Sequence, residues 1–321
     1  MKILRFLGAH RQFTLFLALA LLIVGVAVFA PAIAPHDPLE AHMDQSLQAP
    51  DNTYLCGTDK LGRDVLSRVI YGTRASLTAA LTLVAVIFVI GTVLGVVAGY
   101  FGGVVDAVIM RLADMMISFP GLVLAIAIAG MLGPNLVNAV IAISAVSWTK
   151  YARLARSLVL KIRSSVYIEA AVVTGTKTGV ILRRYVLPNM VTTMIVTAVT
   201  DLGAMMLELA GLSFLGFGAT APTPEWGLML SEGRTYLATA PWLMIWPGLA
   251  IVITVAVFNL LGDSIRDILD PKEAPGHAKK KGKRLWEKQK GVYRHENMDE
   301  KTALSGAVLC DGADRAHRVR R

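Results

Sequence analysis

Long apolar blocks alternate with short polar ones along this chain. An apolar run begins at Phe13, and residues 75–105, 115–149 and 235–262 contain no Asp, Glu, Lys or Arg. Each charge-free run is at or beyond the ~20 residues an α-helix needs to cross ~30 Å of hydrocarbon. Lipid offers no partners for open backbone groups, so such spans are helices. The pattern predicts an all-α integral membrane protein with six transmembrane helices, near 13–33, 76–100, 107–132, 136–154, 190–213 and 242–262. Gly133-Pro134-Asn135 divides the longest run into two of these, because Gly and Pro punctuate helices.

Composition agrees. The chain has 321 residues, 55% hydrophobic and 17% charged, with mean hydropathy +0.56; soluble domains carry about 25% charged residues. The net charge of +9 sits mostly in residues 271–321, where 14 Lys and Arg face 7 acids. A basic tail of this kind is no sign of nucleic-acid recognition. The tail is expected to be disordered, or to lie on an anionic leaflet through Lys279–Lys281, Lys283 and Arg284 beside Leu285 and Trp286. Cys56 and Cys310 fall on opposite membrane faces in the predicted topology, so no disulfide is expected. The first apolar run, about 18 residues, exceeds the ~7–15 of a signal peptide, so an uncleaved first span is expected despite the small residues Ala32 and Ala34.

Lys and Arg in short loops set orientation. Residues 1–12 hold Lys2, Arg5 and Arg11 with no acid. The segment after the fourth span holds Arg153, Arg156, Lys161, Arg163, Lys177, Arg183 and Arg184 against Glu169. With six spans, the N-terminus, the 155–189 loop and the tail share the cytoplasmic side. Residues 34–75 and 214–241 are then external: the first a loop with an amphipathic helix carrying Val65, Leu66, Val69 and Ile70, the second rich in Gly, Pro and Trp. Trp226, Trp242 and Trp246 suit a membrane–water interface.

Within the cytoplasmic loop, EAAVVTG runs from Glu169 to Gly175. Ala171 and Gly175 are four apart, which places two small residues on one helical face where another backbone can approach closely. Gly175 can also end the helix through a positive φ. The expected structure is a short helix that docks on a cytoplasmic partner. A phosphate cradle at Thr176-Lys177-Thr178 is excluded, since a P-loop needs Gly before the Lys, Gly five residues earlier still, and a preceding strand. With no other nucleotide motif, the energy for any pumping comes from another subunit.

Glu169, Ala170, Ala171 and Gly175, closed by Leu187-Pro188-Asn189, resemble the EAA loop of ABC-importer permeases, departing from it at Tyr185, where that family more often has histidine. Gly57-Thr58-Asp59, Leu61-Gly62-Arg63-Asp64, Ser67-Arg68 and SFLGFGATAPTPEWG at 213–227 resemble the dipeptide/oligopeptide/nickel permease family, as does NLLGDSIRDILDP at 259–271; the likeness is to the family's C-type subunit. It covers residues 10–272, and MMLELAGLSFLGFGATAPTPEWG and SWTKYARLARS look nearest to nickel-transport permeases. The resemblance implies a bacterial cytoplasmic-membrane importer working by alternating access. Its implied partners are a sister permease forming a heterodimer, two cytoplasmic ATPases that use ATP, and an external solute-binding protein. It also implies ATPase coupling through Glu169, Ala170, Ala171, Gly175, Leu187 and Pro188, and an external, binding-protein side at Asp59, Arg63, Asp64, Glu225 and Trp226. Nickel species and short peptides both remain open as cargo.

Other candidates come from the residues themselves. Asp201 and Glu208, seven apart in the fifth span with Met205 and Met194 nearby, carry charge at membrane depth, which is costly unless it faces a wet path or a polar partner. They are expected either to line the translocation path or to pair with the sister subunit. Arg111 and Asp114, three apart, are expected to pair structurally. His36 and His42 are external and near Asp37 and Asp44, but two histidines in an acidic loop are ordinarily solvated, so no metal site is expected and the chain is expected to bind no cofactor. No zinc motif and no nucleophile–base pair points to an enzyme. A self-sufficient secondary transporter, the rival from another class, would need broken helices and internal repeats, neither of which is legible.

Overall fold

The structure, a computed structural model, describes residues 10–269; the expectations for residues 1–9 and for the tail, Cys310 included, lie outside them. Among the described residues the fold is all-helical, with only an isolated bridge between Thr58 and Asp64. In order these are α1 (Arg11–Ile33), α2 (Val65–Phe101), α3 (Gly103–Ile117), α4 (Gly121–Leu132), α5 (Leu136–Arg163), α6 (Val166–Val173), α7 (Thr178–Ile181), α8 (Leu187–Phe214), α9 (Trp226–Gly233) and α10 (Trp242–Leu269).

Four stretches are long and apolar enough to cross a membrane: α1, α2, residues 178–214 through α8, and α10; a fifth is reached if α3 and α4 count as one span. The helix α5 is long enough at 28 residues, but Asn138, Ser144, Thr149, Lys150 and Arg153 dilute its apolar character. The structure corrects three expected boundaries. The external amphipathic helix and the second span are one helix, α2, whose 37 residues extend about 55 Å at 1.5 Å per residue. The single span expected at 107–132 is broken, with α3 and α4 meeting at 92°. Pro120 at the break has no N–H to continue the ladder, and it disfavours helical geometry at Phe119. The fourth span runs on to Arg163, well past the expected 154.

The core centres on α2 and α5. Gly91, Gly95 and Gly99, four apart on α2, meet Tyr151, Ala152, Ala155 and Val159 of α5 so closely that a Cβ at any of the three would fall on α5 atoms. Small residues at that spacing let two backbones pack by dispersion where lipid supplies no hydrophobic drive. Phe88 of α2 stands edge-on to Tyr151, with ring centroids 6.1 Å apart. The helix α1 buries only Ala20, Ala27 and Ala30 and leaves Leu21, Leu22, Val28 and Phe29 exposed, as suits a helix with lipid on most sides. The helix α3 is held to α5 by Asp106 against Arg156 (2.5 Å) and Asp114 against Arg153 (2.6 Å). The pair expected between Arg111 and Asp114 is therefore not the one formed: Asp114 reaches across to α5.

Candidate functional site

Three regions gather the candidate residues, and each is built differently. The first is the segment between α5 and α8. The helix α6 begins after Ser164-Ser165 and ends where Gly175 takes φ +77°. The Gly175 N–H then donates to the Val172 carbonyl and the Thr176 N–H to that of Ala171, the bonding that closes a helix over a left-handed residue. A four-residue helix, α7, and a π-helical turn at Leu182–Val186 lead into Leu187-Pro188 at the start of α8. Ile168, Ala171, Ile181 and Val186 are buried and anchor the segment. Tyr167 and Tyr185 lie against each other, ring centroids 6.3 Å apart.

The shared Ala171–Gly175 face is not formed. Ala171 points into the chain, and Gly175 stands beyond the helix end because its backbone has already turned. What is exposed instead is apolar: Val166 (81%), Val172 and Val173 (86%). Glu169, Ala170, Leu187 and Pro188 are exposed around them.

The second region lies within the spans. Asp201 of α8 is buried and accepts a hydrogen bond from Lys150 Nζ of α5 at 2.6 Å. Its other oxygen, Oδ2, and the Tyr151 hydroxyl are buried and interact with each other, although neither is in full hydrogen-bond geometry. Met205 is buried, whereas Glu208 is half-exposed and within electrostatic reach of both Asp201 and Lys150. Asp201 thus finds a partner inside its own chain. Lys150 lies inside the fourth expected span, at the edge of a charge-free run, and its pairing with a residue 51 positions on is not legible in the sequence.

The third region is a cap built from residues 57–64, the start of α2 and α9. The Asp59 carboxylate accepts from the Leu61 and Arg63 amides and from Arg63 Nε at 2.6 Å. Arg63 and Arg68, 2% and 1% exposed, both reach Glu232 of α9, at 3.4 and 3.3 Å, and Lys60 stands 3.6 Å from it. Asp64 caps α2 by accepting from the Leu66 and Ser67 amides, and His36 sits 3.4 Å from it. Glu225 caps α9 through the Gly227 and Leu228 amides and accepts from the Ser76 hydroxyl. Burial pushes the Glu225 carboxyl above its ordinary pKa, and these hydrogen bonds only partly counter it. Trp226 donates from Nε1 to the Val69 carbonyl and fills the space over Gly72.

All five of these residues, Asp59, Arg63, Asp64, Glu225 and Trp226, are interior. They brace residues 57–64, the start of α2 and α9 into one body. Glu232, which completes the network, carried no signal in the sequence. His42 pairs with Glu40, apart from His36, and no group of three or more His, Cys, Asp or Glu among the described residues could hold a metal ion.

Comparison with known proteins gives these regions a setting. Residues 91–274 match the family described as binding-protein-dependent transport system inner membrane component. The chain is 43% identical to the dipeptide transport system permease protein DppC of Alkalihalophilus pseudofirmus, over 77% of this chain and 81% of that one. It is 39% identical to the nickel transport system permease protein NikC of Escherichia coli, over 85% and 99%. It is 43% identical to the glutathione transport system permease protein GsiD of Escherichia coli, over 84% and 88%. A solved structure titled as inward-facing conformations of the MetNI methionine ABC transporter shares the fold, with TM-score 0.52 and 19% identity over 63% of this chain and 97% of that one. With a family model matched over more than half its length and relatives of this identity and coverage, the chain belongs to the binding-protein-dependent inner-membrane transport components, as the multi-pass permease subunit of an ABC importer.

Proposed function

We propose that this permease crosses the cytoplasmic membrane six times with both termini inside, α3 and α4 forming one broken span and α5 another. It pairs with a sister permease to enclose a path, receives solute from an external binding protein, and is driven between outward- and inward-open states by two ATPases that use ATP. The observation that carries this reading is the apolar surface of α6, Val166, Val172 and Val173, exposed in a segment flanked on both sides by Arg and Lys and holding Glu169 as its one acid. Apolar residues exposed at the rim of a basic loop fit a protein groove, with Glu169, Ala170, Gly175, Leu187 and Pro188 framing the contact.

Glu208 is the residue we place at the path, with Asp201 and Met205 behind it supporting the wall. The cargo is a compact polar solute of the kind named for the relatives, a short peptide or a nickel species, selected mainly by the binding protein. Three measurements test this. Uptake in cells should vanish when the partner ATPases are deleted, and uptake that survives their loss overturns the reading. Titration of the cognate binding protein with dipeptides, glutathione and Ni²⁺ assigns the cargo. Glu208→Ala should lower uptake while assembly and ATP hydrolysis persist; unchanged uptake at normal expression removes Glu208 from the path.

A further inference from the structure

The coupling segment hangs between two arms, α5 entering it and α8 leaving it. Lys150 lies 13 residues before the end of α5 at Arg163, and Asp201 lies 14 residues after the start of α8 at Leu187. At 1.5 Å per residue both stand about 20 Å up their arms from the segment. The 2.6 Å bond between them therefore joins the two arms at matching height. Elsewhere the two arms share an apolar neighbour: Phe88 of α2 touches Tyr151 on one side and, with Met190 and Met194 of α8, lines an open apolar recess of about 350 Å³ on the other. The two arms also pack directly on each other, and the hydrogen-bonded ion pair adds a direction-specific contact to that packing.

The pair also has a second donor at hand. Asp201 Oδ2 and the Tyr151 hydroxyl are both buried and interact with each other, although neither is in full hydrogen-bond geometry, and Tyr151 follows Lys150 directly on α5. A small shift of α5 along α8 would bring the hydroxyl onto Oδ2 without releasing the carboxylate from its partner helix. We propose that Lys150 and Asp201, with Tyr151 as the reserve donor, form a cross-tie that makes the two arms of the coupling segment move as one unit. They are positioning residues, and the proposal rests on the coupling reading of α6 given above.

The tie is tested in the complete importer, reconstituted in lipid with Cys56 and Cys310 replaced and spin labels placed at Ser157 on α5 and Thr192 on α8, both exposed. The distance between the labels is measured at rest and after trapping with ATP and vanadate. The native pair should give one narrow distribution that is the same in both states. Lys150→Met should widen it about twofold or more, as expected when two arms sample independent arrangements. The charge-exchanged double variant, Lys150→Asp with Asp201→Lys, should narrow it again, a recovery that mere damage to folding would not produce. Tyr151→Phe should leave the resting distribution narrow and broaden the trapped one. A Lys150→Met distribution as narrow as the native one in both states overturns the cross-tie, as does a correctly assembled exchange variant that stays broad. A label at Val173 separates the two readings: if its mobility does not fall when the ATPases are added, the docking role of α6 has failed, and the resting distances still decide the tie.

Discussion

The cap and the segment proposed for coupling, between α5 and α8, invert each other's chemistry. In the cap, charged residues are inside: Asp59, Arg63, Asp64, Arg68 and Glu225 are each less than a tenth exposed and answered by partners in the same chain. In the coupling segment, apolar residues are outside: Val166, Val172 and Val173 are each more than half exposed among the described residues. A buried charge must be matched on the spot, since taking one into a protein interior costs several kcal/mol and breaking its pair costs about 3–5 kcal/mol. An exposed valine costs little and gains only when another surface covers it. The cap is therefore complete by itself, and on the proposed function the coupling segment is half of an interface.

Breaking the cap should have the largest effect. Arg68→Met leaves Glu232 and Asp59 to share Arg63 and Lys60, removing a fully buried partner. We expect a loss of about 3–5 kcal/mol, seen as little folded protein in the membrane and a collapse of thermal stability in detergent. A variant that accumulates and melts like the native protein would show the cap to be less tightly balanced than its distances imply.

Breaking the other side should do the opposite to stability. Val173→Asp changes a residue 86% exposed, so stability should move by less than about 0.5 kcal/mol. Docking should suffer instead, by about 2 kcal/mol or roughly 30-fold in ATPase affinity if Val173 is a central contact. Co-purification of ATPase subunits with the permease measures it. Equal retention by the native and variant chains would move the docking face elsewhere on the loop.

The difference between the regions also explains what could be read from the sequence. Charge-free runs and loop charges are local, so the apolar segments, the break at Gly133-Pro134-Asn135 and the short helix closed by Gly175 were all legible. The cap was misjudged because burial of a charge is a pairing property: Arg63 and Asp59 look like surface residues until Glu232, some 170 residues away in sequence, is brought beside them. Lys150 was missed for the same reason, since its partner is 51 residues on. The break at Pro120 was overlooked because the apolar run continues through it, and composition does not register a missing N–H. A broken helix is a feature that secondary transporters share; here it occurs in a chain whose family assigns the work to partner subunits.

A smaller effect sharpens the cap. Glu225 is buried and its carboxyl pKa is raised from the ordinary 4.5, first by burial. A group whose folded pKa lies above its unfolded value contributes stability that is full below the unfolded value and lost as pH rises through the folded one. Glu225→Gln cannot ionise and has no such window. The native chain's advantage over the variant should therefore shrink as pH rises from about 4.5 upward, measured as the difference in melting temperature in detergent. A difference that grows with pH would mean that the donors around the carboxylate outweigh its burial.

The smallest expected effect returns to the coupling segment. Gly175 adopts φ +77° and has open space where a Cβ would sit, so Gly175→Ala meets backbone strain and no collision. The cost should be about 1 kcal/mol, borne by the end of α6 without reaching the core, because only the Gly175 and Thr176 amides depend on the turn. Gly175→Leu adds a side chain beside Val172 and Val173 at the same backbone cost. The two variants should therefore match in stability and part in coupling, with Gly175→Leu hydrolysing ATP without importing solute and Gly175→Ala close to native. If both lose coupling equally, the backbone turn is what the ATPase requires; if neither does, the docking surface lies on the Val166 side of α6.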